Sequence, residues 1–368
     1  MALTTLALLA RDTLHVGPST IGVLGAVAGL TMVIATAGIS ARLRPEQLEH
    51  SVEAGTFLLV VSLVIFALSP SVLVLGIATV LLGISGGLAF PGLTGTVQRA
   101  ARQNGINVER STAIFSLVLS ASLALAPLIE SGILSLSHQD TRVPFAAFAA
   151  LPAIAGFLVS HRRRTAIEVS APPRSATRFR LLKDPSAGLA FAGQLMYQVP
   201  FIGLSVFGAS IARTVDHASA ASAELAFTSF FAASFVTRVV VVMRSPLVAK
   251  RGLLIGSGFA TLAGLVAIAM THSLAGFMIG MAVLGIPHGV ILPVALGLLG
   301  ESLPPDALPR ANSVLIGSSN AMGILVPPVL GRIASASSYS VMVFAIIVPV
   351  VALFALVVAT ARKHSLSY

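Results

Sequence analysis

The sequence predicts an all-helical membrane protein. Its composition, its apolar runs and the distribution of its basic residues each indicate this fold class. Of its 368 residues, 56% are hydrophobic and 10% are charged, whereas ordinary soluble domains carry about a quarter charged residues. A water-soluble fold of this length cannot bury so much apolar surface, so soluble enzymes and nucleic-acid-binding domains are excluded despite the net charge of +10. We expect membrane lipid, and no nucleic acid, as a partner.

The apolar runs are long enough to cross a bilayer, because a spanning helix needs about 20 mostly apolar residues. Eleven runs meet that requirement, at 19–40, 51–68, 72–97, 111–136, 143–160, 186–213, 222–243, 252–271, 273–299, 310–331 and 339–361. Residues 1–10 form a twelfth run, which as a helix reaches only about 15 Å. The sequence therefore predicts eleven full spans and a partial first helix.

The basic residues divide unequally between the two sides of this layout. With the short opening run counted as the first, alternate loops place 18 of the 23 Lys and Arg residues on one side and four on the other, and Arg238 lies inside a run. Loops rich in Lys and Arg remain in the cytoplasm. We therefore predict a multi-pass protein of the cytoplasmic (inner) membrane, with both ends of the full-length protein in the cytoplasm.

An internal repeat divides the chain into two halves. Six residues of the run at 72–97 recur 202 positions later in the run at 273–299. They are Leu82, Gly83, Ile84, Gly87, Pro91 and Gly95, which match Leu284, Gly285, Ile286, Gly289, Pro293 and Gly297. The repeat predicts a six-helix bundle at 1–160 and another at 186–368, joined by a basic cytoplasmic linker at 161–185.

The repeat also bears on the short opening run. Ala10-Arg11 matches Ala212-Arg213, which aligns residues 1–12 with 203–214, the outer end of the run at 186–213. About 17 residues at the start of that run have no counterpart near residue 1. We interpret the first helix as cut short. The alternative is a natural eleven-span protein with a short external arm.

Twelve runs in a 6+6 parallel repeat with a basic central loop resemble the major facilitator superfamily. The segment LLGISGGLAFPGLTG at 81–95 is similar to the fourth helix of that family. The segment LALAPLIESG at 123–132 resembles a weakened form of the fifth-helix motif GPxxGG, which marks many exporters: Pro127 is kept, Ala126 replaces the first Gly, and Glu130 and Ser131 replace the last two. The usual GxxxDRxGRR loop is reduced to SARLRPEQLEHSV, where Arg42 and Arg44 survive. An Arg common in the fourth helix is Thr79 here.

Polar side chains at mid-depth mark the predicted substrate site, because they are costly in lipid and usually face the protein interior. Gln194, Tyr197 and Gln198 share one helical face, at spacing i, i+3, i+4. His288 and Asn320 lie at the centres of their runs. These five residues are the predicted substrate-binding residues. The alternative is hydrogen bonding between helices without a ligand, which is the role we expect for Ser234 and Ser318.

Two charged residues are predicted to take part in coupling or gating. Glu130 and Arg238 are the only carboxylate and cation well inside the runs, Glu130 towards the outer face and Arg238 towards the cytoplasmic end. At these depths we expect no direct pair between them. Arg238 has the alternatives of reaching the interface or binding a carbonyl. His288 is a candidate for carrying a proton. We expect no metal and no cofactor, since the chain has no Cys and His288 has no second ligand at helical spacing.

Together, the residues and the resemblance predict a secondary active transporter rather than an enzyme. Alternating access would move a small organic solute, with a proton or an ion as the possible coupling partner and a monomer as the expected state. With 19 Phe and no Trp, an exported amphipathic compound is favoured over an imported sugar or metabolite. The remaining alternative is a transport-inactive relative that acts as a sensor or partner.

Overall fold

The computed structural model describes residues 2–40, 47–106, 108–160, 184–244, 250–304 and 308–365. Within these ranges the chain is all-helical, with twelve α-helices and no strand. The helices are α1 (Ala2–Leu8), α2 (Pro18–Ile34), α3 (Leu48–Leu68), α4 (Val72–Gln103), α5 (Val108–Leu136), α6 (Val143–Ser160), α7 (Pro185–Val215), α8 (Ala220–Arg244), α9 (Lys250–Met270), α10 (Leu274–Ser302), α11 (Leu308–Ala336) and α12 (Tyr339–Ser365). A π-helical turn at Leu9–Thr13 extends α1, and another at Ala35–Ile39 extends α2.

The helices agree with the predicted apolar runs. Each of the eleven long runs corresponds to one helix, with ends that differ by a few residues. Among the described residues, ten helices are long and apolar enough to cross a membrane, and the apolar part of α6, Val143–Leu158, is shorter. The expected count of full spans therefore holds for ten of the eleven. A shorter helix is accommodated by local thinning of the bilayer, at a modest cost in free energy.

The outer surface of the bundle is apolar, as a protein surrounded by lipid requires. Large side chains such as Phe57, Leu73, Leu151, Phe157 and Val348 are exposed on different helices around the bundle. In water such a surface would aggregate, whereas lipid tails solvate it. The chain is therefore a multi-pass membrane protein.

The two halves of the repeat use their glycines in the same way. Glycines of α4 lie against the main chain of α2, and the matching glycines of α10 lie against the main chain of α8. A Cβ atom at each glycine would meet a main-chain oxygen, in the pairs Gly83 with Ala28, Gly87 with Met32, Gly285 with Phe230 and Gly289 with Ser234. Both members of each pair shift by the same 202 residues. Small residues allow helix backbones this close approach in a membrane.

Glycines also bring the first six helices against the last six. Helix α2 packs along α11, and α5 packs along α8. A Cβ atom at Gly29 would lie 2.9 Å from the main chain of Gly323, and a Cβ atom at Gly331 would lie 2.6 Å from the oxygen of Pro18. The two sets of helices are therefore in backbone contact where α2 meets α11, and they also pack together where α5 meets α8.

Polar contacts join the two halves at one end of the bundle. We call it the Arg-poor end, and it carries the loops that follow α1, α3, α5, α7, α9 and α11; the opposite end is the Arg-rich end. At the Arg-poor end, Arg213 Nε lies 3.0 Å from Asp12 Oδ2. There the Ala221 N–H also donates to Gln139 Oε1 at 2.9 Å. The Ser19 N–H donates to Ser335 Oγ at 2.9 Å. These contacts close the Arg-poor end.

Much of the Arg-rich end lies outside the described residues, namely 41–46, 161–183, 245–249 and 305–307. The predicted linker at 161–185 falls there except for Asp184 and Pro185. Asp184 begins α7, and its side chain accepts a hydrogen bond from the Ala187 N–H at 2.8 Å. The division into bundles at 1–160 and 186–368 stays a prediction.

We predict that alanine destabilises the protein at Gly87 of α4 but not at the adjacent Gly86. A Cβ atom at Gly87 would lie 2.6 Å from both Ala35 Cβ and Met32 O, whereas one at Gly86 would have only Met32 Sδ at 3.9 Å. Overpacking costs about 1–3 kcal/mol, while Gly to Ala in an open helical position gains up to about 1 kcal/mol. Thermal unfolding in detergent should therefore show a lower midpoint for Gly87→Ala and an unchanged or higher midpoint for Gly86→Ala. Equal shifts would contradict the close packing of α4 on α2.

Candidate functional site

A cavity lies near the middle of the bundle, beside the interface of the two halves. Its volume is about 210 Å³. It is lined by Gln194, Tyr197, Gln198, Phe201, Arg238, His288, Ile291, Leu292, Ile316, Ser319 and Asn320. The structure thus brings all five residues of the predicted substrate site, and also Arg238, to one cavity. That they bind a substrate stays a prediction.

Three helices supply the polar wall of this cavity. Helix α7 presents Gln194, Tyr197 and Gln198 on one face, and Gln194 Nε2 donates to Gln198 Oε1 at 3.2 Å. Asn320 comes from α11 and Arg238 from α8. Three amides, a phenol and a guanidinium therefore face the same small volume and provide both donors and acceptors.

An aromatic group forms a second wall. The His288 ring stacks on Phe201 with ring centroids 4.6 Å apart. It also lies 5.6 Å from Tyr197, 5.2 Å from Phe230 and 5.9 Å from Phe231. Rings at such separations attract one another by about 0.5–1.5 kcal/mol beyond their burial. We call these five residues the aromatic wall; Tyr197, Phe201 and His288 line the cavity, and Phe230 and Phe231 contact the His288 ring.

The cavity continues into a larger lobe that reaches the first half of the chain. This lobe has a volume of about 450 Å³ and shares Gln198, Phe201, His288, Ser319 and Asn320 with the first. Its other lining residues include Gly25, Gly29 and Met32 of α2, Leu82, Gly83 and Gly86 of α4, and Leu123 of α5. The combined space is therefore bounded by both halves, at the level where such folds place substrates.

Several polar atoms of the first lobe lack partners. Among the described residues, no hydrogen-bond partner is found for Tyr197 Oη, Gln194 Oε1 or Arg238 Nε, although each atom is buried. The Tyr197 side chain is only 3% exposed. Buried polar atoms are almost always hydrogen-bonded, because an unsatisfied one costs about 1–3 kcal/mol. All three atoms belong to residues that line this cavity, which favours polar groups in a molecule that occupies it.

Arg238 extends from α8 towards α5. Its Nη1 donates to Ser120 Oγ, and its Nη2 lies 3.5 Å from the carbonyl oxygen of His288. The sequence left Arg238 the alternatives of reaching the membrane interface or binding a carbonyl. The structure shows contact with a carbonyl within the bundle. The side chain spans the α5–α8 interface between the halves, and its predicted role in gating is untested.

Glu130 is buried near the Arg-poor end, where its carboxylate accepts a hydrogen bond from Thr5 of α1. The expectation that it is the only carboxylate well inside the runs needs a correction. Helix α8 begins at Ala220 rather than at 222, and its Glu224 is 0% exposed. Glu224 Oε2 accepts a hydrogen bond from Thr4 Oγ1 at 3.1 Å. Helix α1 covers the start of α8 and so buries Glu224. The sequence places Glu224 near the start of its apolar run and gives no sign of this cover.

The site also contains residues that the sequence prediction left out. Phe201 follows Tyr197 by one helical turn and continues the polar face of α7, so its position on that face could have been inferred. Ser319 lines the cavity beside Asn320, while its Oγ donates to Leu315 O at 3.1 Å. Phe230 and Phe231 of α8 carried no signal, because apolar residues are common throughout the run. Ser318 donates to Leu315 O at 2.8 Å within its own helix, rather than to another helix as expected.

Electrostatic interactions outside the membrane-spanning segments are concentrated in the loop after α7. Arg213 Nη1 donates to Ala218 O at 2.7 Å and so orders this loop. Burial raises the pKa of the Asp216 carboxyl, and the charges of His272 and His217 partly offset that shift. Asp216 is therefore more readily protonated than a free aspartate.

Comparison with known proteins supports a transporter fold. Residues 190–367 match the model of the Major Facilitator Superfamily. The solved structure of the nucleoside transporter NupG has a TM-score of 0.74 at 14% identity, and the alignment covers 97% of this chain and 94% of that one. A bacterial homologue of the human lysosomal transporter Spinster, in an inward-facing and occupied conformation, has a TM-score of 0.65 at 15% identity, covering 100% of this chain and 93% of that one. No curated protein sequence matches this chain. At these identities the solved structures show the fold alone.

The unpartnered hydroxyl of Tyr197 predicts that a conservative change in the cavity stabilises the protein. Tyr197→Phe removes a buried oxygen that lacks a partner among the described residues, so the free energy of unfolding should rise by about 1 kcal/mol. The control is Ser62→Ala. It removes a hydroxyl that is 0% exposed and donates to Ala78 O at 2.8 Å, and it should destabilise by about the same amount. Thermal unfolding in detergent measures the stability of both variants. A loss of stability in Tyr197→Phe would contradict the interpretation that the Tyr197 hydroxyl is buried without a partner.

Proposed function

We propose that this chain, a member of the major facilitator superfamily, is a secondary active transporter that moves a small amphipathic organic solute across the cytoplasmic membrane. Its family and its fold are those of transporters rather than enzymes. The proposed mechanism is alternating access, in which the two halves open the central cavity to one side of the membrane at a time.

The observation that carries this proposal is the two-sided lining of the central cavity. One wall is polar and includes the amides of Gln194, Gln198 and Asn320. The other is the aromatic wall around His288. A solute with a flat apolar part and several hydrogen-bonding groups would contact both walls at once. Such a solute would also satisfy the unpartnered atoms of Tyr197 and Gln194.

The charge of the cavity restricts the solute further. Arg238 is the only charged residue that lines either lobe within the described part of the chain. A cationic solute would face this guanidinium with no carboxylate to balance it, at a cost in free energy of desolvation and repulsion. A neutral or anionic solute is therefore favoured. Arg238 would donate to an oxygen acceptor of that solute, in addition to Ser120.

The direction that we propose is export. The support is the resemblance of 123–132 to the fifth-helix motif found in many exporters. The closed Arg-poor end corresponds, by the distribution of basic residues, to the outer side of the membrane. In this arrangement the cavity would load from the cytoplasm. Opening the outer side would break hydrogen bonds such as Gln139 to Ala221, which contribute about 1 kcal/mol each, and the Asp12–Arg213 ion pair, which is partly exposed and contributes less.

Uptake of a nucleoside-like solute is a second candidate function. It is favoured by the aromatic wall, since a nucleoside joins a flat base to a hydroxyl-bearing sugar. The solved nucleoside transporter NupG shares the fold. Stacking of a base on the His288–Phe201 pair and hydrogen bonds from Asn320 and Gln198 would suit such a solute.

Counterflow in proteoliposomes tests these proposals. Labelled solutes from three groups, namely nucleosides, aromatic carboxylates and neutral amphipathic compounds, are offered to vesicles preloaded with the same unlabelled solute. Exchange of at least one group is expected. Asn320→Ala and Gln198→Ala should each weaken the apparent affinity about threefold to tenfold, the effect of losing one hydrogen bond.

The matched control is Ser318→Ala, because this serine bonds within its own helix and does not line the cavity. It should leave the affinity unchanged. Absence of exchange for every solute would contradict the transporter proposal and favour the alternative of a transport-inactive sensor or partner.

A further inference from the structure

Two buried carboxylates, neither of which lines either lobe of the central cavity, lie at the interface of the halves. Glu130 of α5 is 2% exposed and Glu224 of α8 is 0% exposed. Glu130 is about ten residues along α5 from Ser120, the residue that Arg238 contacts, which corresponds to about 15 Å. The pair therefore lies towards the Arg-poor end, where Thr4 borders the larger lobe and where Thr5 and Glu130 border a different cavity.

One turn of α1 holds both carboxylates. The neighbouring residues Thr4 and Thr5 point in directions about 100° apart on a helix. Thr4 Oγ1 donates to Glu224 Oε2 at 3.1 Å, and Thr5 Oγ1 donates to Glu130 Oε1. The two acidic side chains are thus brought from opposite halves of the chain to adjacent residues of the same short helix.

No described side chain supplies a balancing positive charge for the carboxylates, although the charge of the amino terminus, outside the described residues, acts on both. No Lys, Arg or His side chain among the described residues lies within 4 Å of either one. Glu224 Oε1 is buried without a hydrogen-bond partner. Two ionised carboxylates that repel each other in a medium of low dielectric are strongly disfavoured, and such a pair is stable when it shares a proton. The unpartnered oxygen is the natural place for that proton.

We propose that Glu130 and Glu224 form a proton-binding site that is complete only while the Arg-poor end is closed. Separation of α5 from α8 would hydrate both carboxylates, allow them to ionise and release the proton. Proton binding would in turn favour the closed end. The role of this site in driving transport rests on the proposed function, whereas the coupling between protonation and closure does not.

The Arg-poor end carries other charged groups besides the carboxylate pair. Asp12 lies between Arg213, at 3.0 Å, and Arg11, at 3.9 Å. Asp216 interacts with His217 and His272 in the loops. Asp140 accepts a hydrogen bond from the Arg142 N–H at 2.9 Å. The exposed His138 lies beside it. The α-amino group at residue 1 is outside the described residues. Because it is also titratable, the amino terminus is kept identical in every variant.

Distance measurements between spin labels test the proposal without any solute. The chain contains no Cys, so labels attach only at Ser71→Cys and Ser337→Cys, two exposed serines at the Arg-poor end of opposite halves. Double electron–electron resonance is recorded at pH 5.5 and 8.5. The closed population should be high at pH 5.5 and fall at pH 8.5 in the parent protein. In Glu130→Gln/Glu224→Gln it should stay high at both pH values, because glutamine is neutral and similar in shape.

The control is Glu301→Gln, an exposed carboxylate that pairs with Lys250 at the Arg-rich end. It should retain the full pH response. The proposal is wrong if the response persists in the double glutamine variant, if the parent shows none, or if the closed population follows Na⁺ concentration rather than pH. Because these outcomes need no substrate, they are independent of whether counterflow succeeds.

Discussion

The arrangement of this protein depends on one constraint: a polar side chain at membrane depth must be covered by another helix, because no water is present to bind it. Both polar regions satisfy this constraint by lying between helices. The central cavity places its amides, phenol and guanidinium among α7, α8, α10 and α11. The carboxylate pair is enclosed by α1, α5 and α8. The surface that faces outward is correspondingly apolar.

Close helix packing makes such enclosure possible. Glycines of α4 and α10 lie directly on the main chains of α2 and α8, and the same 202-residue offset relates both sets of contacts. Glycines of α2 and α11 do the same across the interface between the halves. Rigid pairs within each half, joined by fewer polar contacts at the Arg-poor end, would suit a molecule whose halves rock against each other. The cavity and the carboxylate pair both lie where such rocking would change their surroundings.

The sequence predicted most of the fold and part of the site. Runs of apolar residues locate membrane helices well, because the requirement for length is severe. The five polar residues that line the cavity were found from depth and helical spacing alone. Glu224 was missed because the position of a residue in an apolar run does not show which other helix packs against the end of that run. The aromatic wall was missed for a related reason: Phe201, Phe230 and Phe231 meet His288 only through tertiary packing, and one Phe in an apolar run looks like any other.

The most direct test of the central claim is the accessibility of one cavity position from each side of the membrane. Ile316 lines the cavity without any proposed contact to the solute, and the chain has no Cys of its own, so Ile316→Cys gives an unambiguous thiol. A membrane-impermeant thiol reagent is applied to vesicles of both orientations. The account predicts labelling from either side in turn, slowed by a transported solute. A thiol that stays sealed from both sides under every condition would contradict it.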